Sequence, residues 1–267
     1  MKRIQLFEFE DFNWFPSWIR TSMTNLIAVL HKMLGTKEVL SNLISDVYKK
    51  HSFNQIVDMG SGSGGIMPEV IEVLNEEKKS KISLLLTDLY PNKKFINYIK
   101  NQNLENVSYQ EESLNATNLA SSPEGLKTMI NSFHHMPPEK AKQILKTAQE
   151  NKQPLLIYEI AENKMPLLLW WILLPLSLVI LFVMSWFMTP FSKPLSIKQL
   201  IFTYLIPIIP IFYAWDGQAS MPRMYTFNDV EELLKDFKDD SSYQWKMETA
   251  KKVNGKTLGY YILGLPV

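Results

Sequence analysis

From Gln55 to Glu159, short apolar runs alternate with longer amphipathic stretches, and this alternation constrains the chain more than any other feature. A strand covered on both faces reads as a continuous apolar run, whereas a crossover helix carries a 3.6-residue period, so the repeat predicts a parallel sheet flanked by helices. Strands are predicted at 55–59, 82–87, 107–110, 127–132 and 154–160, with helices at 66–78, 92–102 and 138–150. The last of these helices places Ala141, Ile144, Leu145 and Ala148 on one face. Upstream, the apolar spacing from residue 23 to residue 51 predicts two helices broken near Gly35, a helical cap over residues 1–51. Downstream, a helix over 228–237 precedes strands at 243–250 and 257–264, and Asn254-Gly255 between them is a tight-turn dipeptide. An antiparallel hairpin therefore closes the sheet.

The pattern is interrupted once. Residues 165–192 contain no charged side chain and 199–215 contain none, the two runs being separated by Lys193 and Lys198. A helix over 165–188 is roughly 36 Å long, enough to cross a hydrocarbon core of ~30 Å. The second run is shorter, and Pro207 and Pro210 are each expected to bend it. Two uncharged runs of 28 and 17 residues exceed what a lid over a soluble pocket needs. Residues 165–216 are thus expected to form a hydrophobic hairpin that meets membrane lipid, inserted into a domain made of 52–164 and 217–267. A full double crossing would carry Lys193 and Lys198 to the far side, against the tendency of basic residues to stay cytoplasmic, so a proline-bent dip into one leaflet is favoured. A buried intradomain hairpin or a dimer interface is the alternative.

Composition narrows the partners. Lys plus Arg total 28 against 27 Asp plus Glu, a formal charge of +1, so there is no basic field to draw phosphates and nucleic acid is not an expected partner. The chain has no cysteine, which removes thiolate metal sites and cysteine nucleophiles, and no metal is expected. Glu8, Glu10 and Asp11 stand where a secretory signal needs an apolar stretch, so the catalytic domain is expected on the cytoplasmic side of the membrane. The oligomeric state is not legible.

The strongest chemical signal is Val57-Asp58-Met59-Gly60-Ser61-Gly62-Ser63-Gly64-Gly65, between a predicted strand and a predicted helix. Glycines there let the backbone approach a ligand, and the helix that follows offers free amides. Gly60, Gly62 and Gly65 also satisfy the dinucleotide spacing, so the glycines alone do not separate a nicotinamide cofactor from an adenosylated sulfonium. Asp58 favours a ligand with a cationic amino-acid end. Asp88, closing the next strand, can take ribose hydroxyls, and it lies 28 residues beyond Gly60 where the dinucleotide motif expects ~20. After the third strand, Gln110-Glu111-Glu112-Ser113 supplies a polar edge suited to adenine.

With Asp58-x-Gly60-x-Gly62-x-Gly64, Asp88, the fourth strand ending in Asn131-Ser132-Phe133-His134-His135-Met136, and the final hairpin, the chain resembles class I SAM-dependent methyltransferases over about residues 37–160 and 223–267. Trp14-Phe15-Pro16, Ser132-Phe133-His134-His135 and the stretch from Phe202-Thr203-Tyr204 to Trp215-Asp216-Gly217 are similar to a bacterial group of such enzymes with a hydrophobic insertion after the fifth strand. The resemblance implies an α/β fold with a seven-stranded, mostly parallel Rossmann-like sheet whose last strand is antiparallel. It also implies S-adenosyl-L-methionine as cofactor, held by Asp58, Gly60, Ser61, Gly62, Gly64, Asp88, Leu89, Glu112, Ser113 and Ser132. The expected activity is in-line methyl transfer to a lipophilic or membrane-associated small molecule. His134, His135 and Glu159 are the candidate catalytic residues, with Glu159 alternatively ion-paired to a lysine or to Arg223. Asp216 and Arg223 are read as a pair that pins the hairpin or, alternatively, as contacts to an acidic acceptor head, and Trp14, Phe15, Trp18 and Arg20 as an aromatic and basic segment packed in the core or lining the acceptor pocket. A membrane-anchored dinucleotide oxidoreductase and a non-catalytic scaffold remain as rival functions.

Overall fold

The computed structural model describes residues 1–78, 81–102, 104–238 and 241–267, the side chains of 77 and 78 excepted. Helices α1 (Ser17–Leu34) and α2 (Thr36–Lys50) lead into β1 (Gln55–Met59), α3 (Met67–Lys78), β2 (Ser83–Thr87), α4 (Lys93–Gln102), β3 (Val107–Tyr109), β4 (Leu126–Ile130), α5 (Pro138–Glu150) and β5 (Leu155–Glu159). The insertion follows as α6 (Leu167–Met188), α7 (Ile197–Tyr204) and α8 (Ile208–Arg223), and the chain closes with α9 (Phe227–Leu234), β6 (Tyr243–Lys251) and β7 (Thr257–Pro266). The strands form one sheet in the order β3-β2-β1-β4-β5-β7-β6. Strands β1 to β5 pair in parallel, and β7 runs antiparallel to both β5 and β6. This is the mixed Rossmann-like α/β sheet expected from the sequence.

Alternation along the strands explains the two core layers. In β5, Leu156 and Tyr158 face the layer that holds α2, α3 and α4, while Leu155 and Ile157 face the layer that holds α5 and α9. Both sets are buried, which is why β5 shows no polar alternation. Helix ends follow their local chemistry. Gly35 ends α1 in the left-handed conformation at φ 71 and returns its N–H to His31 O. Thr226 and Asp229 form a reciprocal capping box at the start of α9. Pro138 opens α5 at a position where its missing N–H costs nothing.

A third apolar cluster joins the insertion to the cap. Phe15, Ile19, Met23, Leu26 and Val29 pack with Met188 of α6 and with Ile209 and Tyr213 of α8. The insertion is therefore a layer against α1, and Trp18 and Phe15 belong to that packing.

Three differences from the sequence reading have clear causes. Strand β4 stops at Ile130, two residues early, because Asn131 turns left-handed at φ 51 and its Oδ1 accepts the Ile160 N–H at 2.8 Å. The second uncharged run bends by 80° between α7 and α8, at Leu205 to Pro207, but Pro210 bends nothing. It lies in the first turn of α8, where no intrahelical donor is needed. That helix also continues through residue 216 to Arg223, so the insertion returns to the sheet as one unbroken rod.

The antiparallel strand fits only because of glycine. At Gly259, φ is +80 and an added Cβ would stand 2.1 Å from Glu159 O on β5. Gly259→Ala is therefore expected to lower stability by about 3 kcal/mol or more, read as a reduced urea midpoint at unchanged slope.

Candidate functional site

The carboxyl ends of β1, β2 and β4 open onto one cleft, and Asp58 ties them together. Its Oδ1 accepts from Thr128 Oγ1 of β4 at 2.6 Å and its Oδ2 from Ser61 Oγ at 2.7 Å, while its carbonyl accepts from Thr87 Oγ1 of β2 at 2.8 Å. Burial raises its carboxyl to about 6 against the pull of those hydroxyls. Asp58 is thus an internal strut, with both carboxylate oxygens engaged inside the protein.

The glycine loop is shaped by backbone geometry. Gly60, Gly62, Gly64 and Gly65 all have positive φ. A Cβ on Gly64 would strike the Phe95 ring at 2.8 Å, so that glycine serves packing of the loop onto α4. At Gly62 and Gly65 a Cβ would meet nothing within 4 Å, and these positions face open space. Asp88 grips the loop from β2, its Oδ2 accepting Gly62 N–H at 2.9 Å and its Oδ1 accepting Tyr90 N–H at 2.8 Å. Burial raises its pKa, opposed by those two amides. Each oxygen keeps a further acceptor position. Tyr109 OH donates to Gly62 O at 3.0 Å and Ser113 Oγ to Leu89 O at 2.7 Å, so the β3 exit braces the same cleft.

Of the residues expected to hold the cofactor, Asp58, Gly60, Ser61, Gly62, Gly64 and Asp88 come together, and an added Cβ on Gly60 would stand 3.4 Å from Ser132 Cβ. Leu89 and Ser113 sit together at the outer edge, and Glu112 is exposed there. The sequence predicts a helical cap over residues 1–51 but not the side chains through which it reaches this cleft. Thr21 Oγ1 of α1 takes Asn92 Nδ2 at 3.2 Å and Ser63 Oγ at 3.5 Å, and buried His31 meets Asn131 Nδ2 through Nε2 at 2.5 Å. Asn131 Oδ1 is already bound to Ile160, so Nε2 of His31 is the acceptor, the imidazole is neutral and burial takes its pKa down to about 4. Nothing in the spacing of α1 marks these side chains.

Beside the cleft, the β4 exit carries the histidine pair. Glu159, fully buried at the end of β5, accepts His134 N–H at Oε1 (3.0 Å) and His134 Nδ1 at Oε2 (2.9 Å). The carboxylate therefore holds the proton on Nδ1 and leaves Nε2 with its lone pair. Glu159 has neither a lysine nor Arg223 as its partner: the histidine next along the sheet reaches it first. The His135 ring lies against that of His134, centroids 4.3 Å apart, with its Nδ1 3.1 Å from Glu8 Oε2 and 3.0 Å from Asp11 Oδ1, and its Nε2 3.5 Å from Glu10 Oε1. Burial alone would lower its pKa, but Glu8, Asp11 and Glu10 hold it well above the ordinary value, so His135 is a cation locked among carboxylates. It has no lone pair to offer near neutral pH.

Arg223 completes that cluster. It is fully buried and its Nη1 lies 3.1 Å from Glu8 Oε2 and 2.6 Å from Asp11 Oδ2. Burial opposes ionisation of Asp11, yet His135 and Arg223 bring it down to about 2. The expected Asp216–Arg223 pair is absent. Asp216 accepts instead from Phe9 N–H at 2.8 Å and Glu10 N–H at 3.1 Å, because the amino-terminal segment lies between the two side chains' reach. Together these groups clasp residues 8–11 between α8 and the β4 exit.

No protein-family model and no curated protein matches this chain. Among solved structures, it is similar to a bacterial CtHen1 methyltransferase domain (10% identity, TM-score 0.48), over 86% of this chain and 98% of that one. The plantazolicin methyltransferase BpumL in complex with SAH is similar at 11% identity and TM-score 0.48, over 97% and 87% of the two chains. A SAM dependent methyltransferase from Aquifex aeolicus is similar at 14% identity and TM-score 0.42, over 84% and 89%. At these identities no residue of theirs is transferred to this chain.

Burial and neighbouring Glu10 raise Asp216 from 3.8 to about 8, its two backbone donors offsetting only part of this. The folded protein then binds a proton that the unfolded chain has released, so this group's contribution is present below pH 4 and is lost as pH rises from about 4 to 8. Asp216→Asn is expected to flatten that part of the stability profile, measured as urea midpoints at pH 5 and pH 8. An unchanged slope would show that Asp216 is ionised in the fold.

Proposed function

We propose that this protein is a SAM-dependent methyltransferase acting on a lipophilic acceptor drawn from a membrane. The observation that carries the reading is the sheet order. In the dinucleotide-binding arrangement the strands run 3-2-1-4-5-6 in parallel, whereas here antiparallel β7 stands between β5 and β6. That difference, with a carboxylate rather than further amides beneath the loop, favours the methyl donor over a nicotinamide cofactor.

The cleft fits such a donor. The open faces of Gly62 and Gly65 leave room for it, and the spare acceptor positions of Asp88 suit the two ribose hydroxyls. Gly60, Ser61 and Ser132 would border its amino-acid end, with Asp58 setting the loop, while Leu89, Glu112 and Ser113 would border the adenine. When bound, the sulfonium would supply an electrophilic methyl group, the electron pair of its C–S bond staying on sulfur as the neutral thioether, S-adenosylhomocysteine, leaves. The protein's share is alignment and removal of a proton. His134 Nε2, oriented by Glu159 through Nδ1, is the base for a hydroxyl acceptor: the acceptor oxygen keeps the electron pair of its O–H bond for the new C–O bond, and the proton moves to Nε2. His135, held as a cation, contributes charge and position. The uncharged face of α6 supports delivery of the acceptor from lipid.

Calorimetry of the full chain with S-adenosylhomocysteine tests the donor site. Binding is expected, with at least tenfold weaker affinity in Asp88→Ala and no response to NADH; NADH binding in place of the nucleoside would overturn the assignment. For the acceptor, incubation with SAM and extracted membrane lipid is expected to yield a species heavier by one methylene, and His134→Asn to slow its formation by about 100-fold or more. An unaffected rate would remove His134 from the chemistry.

A further inference from the structure

We infer that the insertion attaches the protein to a single leaflet of a phospholipid bilayer, side-on along the outer face of α6 and its tip, without crossing. The inference extends the membrane part of the proposed function and is independent of the methyl donor. Along α6, Leu168, Ile172, Leu176, Val179, Val183 and Phe187 are exposed, a stripe of roughly 29 Å at ~1.5 Å per residue with no charge in it. The tip continues it, with Ile197 at 75% and Leu205 at 77% exposure. Only 11% of the most apolar window of this helix is buried within the protein. A surface of this extent, with the charges of Lys164, Lys193 and Lys198 standing at its two ends and none along its length, is a poor match for a second protein chain and a good one for acyl chains and their headgroups. Trp171, Trp186 and Tyr204 lie among the exposed residues, and such rings favour headgroup level.

The inner side of the same hairpin excludes a crossing. Asn25 Nδ2 of α1 donates to Pro194 O at the tip (3.3 Å), the Trp18 and Phe202 rings lie 4.8 Å apart, and Lys198 Nζ is 5.8 Å from the Trp18 ring. The tip is therefore bound to the middle of α1. That helix touches the glycine loop through Thr21, so only the thickness of one helix, about 10 Å, separates the tip from the cleft. If the tip crossed a core of ~30 Å, α1, Asp58 and Asp88 would be drawn into hydrocarbon with it, where ionised and multiply hydrogen-bonded groups are excluded. Lying flat, the outer face of α6 enters the acyl region and the cleft stays in water.

The absence of cysteine makes the test direct. Single variants Ile172→Cys, Leu195→Cys and Val253→Cys of the full chain, each carrying an environment-sensitive fluorophore and each checked by its melting curve, are mixed with phosphatidylcholine vesicles. Blue-shifted emission is expected at 172 and 195, quenched more by headgroup-level than by bilayer-centre spin labels, with 253 remaining in water. A charged thiol reagent sealed inside vesicles is expected to modify none of the unlabelled variants. Modification of Leu195→Cys from the lumen would overturn the single-leaflet placement, as would water-like emission at all three sites together with concentration-dependent dimerisation. Ile172→Asp combined with Leu176→Lys is expected to reduce vesicle partitioning at least tenfold while leaving S-adenosylhomocysteine affinity unchanged. If the parent protein partitions normally yet fails to bind the nucleoside, the donor assignment falls and the attachment stands.

Discussion

The carboxylate of Asp58 is the point on which the cleft depends. A buried acid with each oxygen hydrogen-bonded to a different element costs little to keep in place and much to disturb. Thr128 fixes the β1–β4 edge, Ser61 fixes the first turn of the glycine loop, and the Asp58 carbonyl fixes Thr87 at the end of β2. Three strand exits are thereby held in one register. Asp88 then closes the loop from the side by binding Gly62 N–H, so the two acids act in series, one beneath the loop and one beside it.

A second, denser set of ionisable groups organises the neighbouring surface. Glu8, Glu10, Asp11, His135, Asp216 and Arg223 come from the amino-terminal segment, the β4 exit and α8, elements far apart in sequence. Burying such charges is tolerable only when each has a partner, and removing one partner leaves a bare charge behind. The cluster therefore locks the insertion to the sheet at the side where His134 stands. The histidine pair divides its labour through this arrangement: Glu159 orients His134, and the acids of residues 8–11 claim His135. Adjacent residues of one type thus have different partners.

Much of this was legible in the linear chain, for identifiable reasons. Strands covered on both faces are apolar through their centres, so β2 and β5 appear as short apolar runs, and glycines forced to positive φ cannot be replaced cheaply, so the loop stands out. Asp58 and Asp88 were legible as acids at strand ends, but not the internal bonds they make. The early end of β4 was hidden because Asn131 suits both a strand end and a left-handed turn. Pro207 and Pro210 look equivalent in sequence, and they differ only because one precedes a helix and the other lies in its first turn.

The sequence by itself determined the alternation that builds the sheet, the glycine loop at its first crossover, and the presence of an uncharged insertion, because each is a local or periodic property of covalent neighbours. Only the tertiary structure decided that α1 lies between the insertion and the glycine loop, that His31 and Thr21 cover the cleft, and that Arg223 meets Glu8 and Asp11 in place of Asp216. Those choices join residues up to 215 positions apart. They are settled by which buried charges and apolar faces can be satisfied simultaneously in three dimensions, a condition that no spacing along the chain encodes.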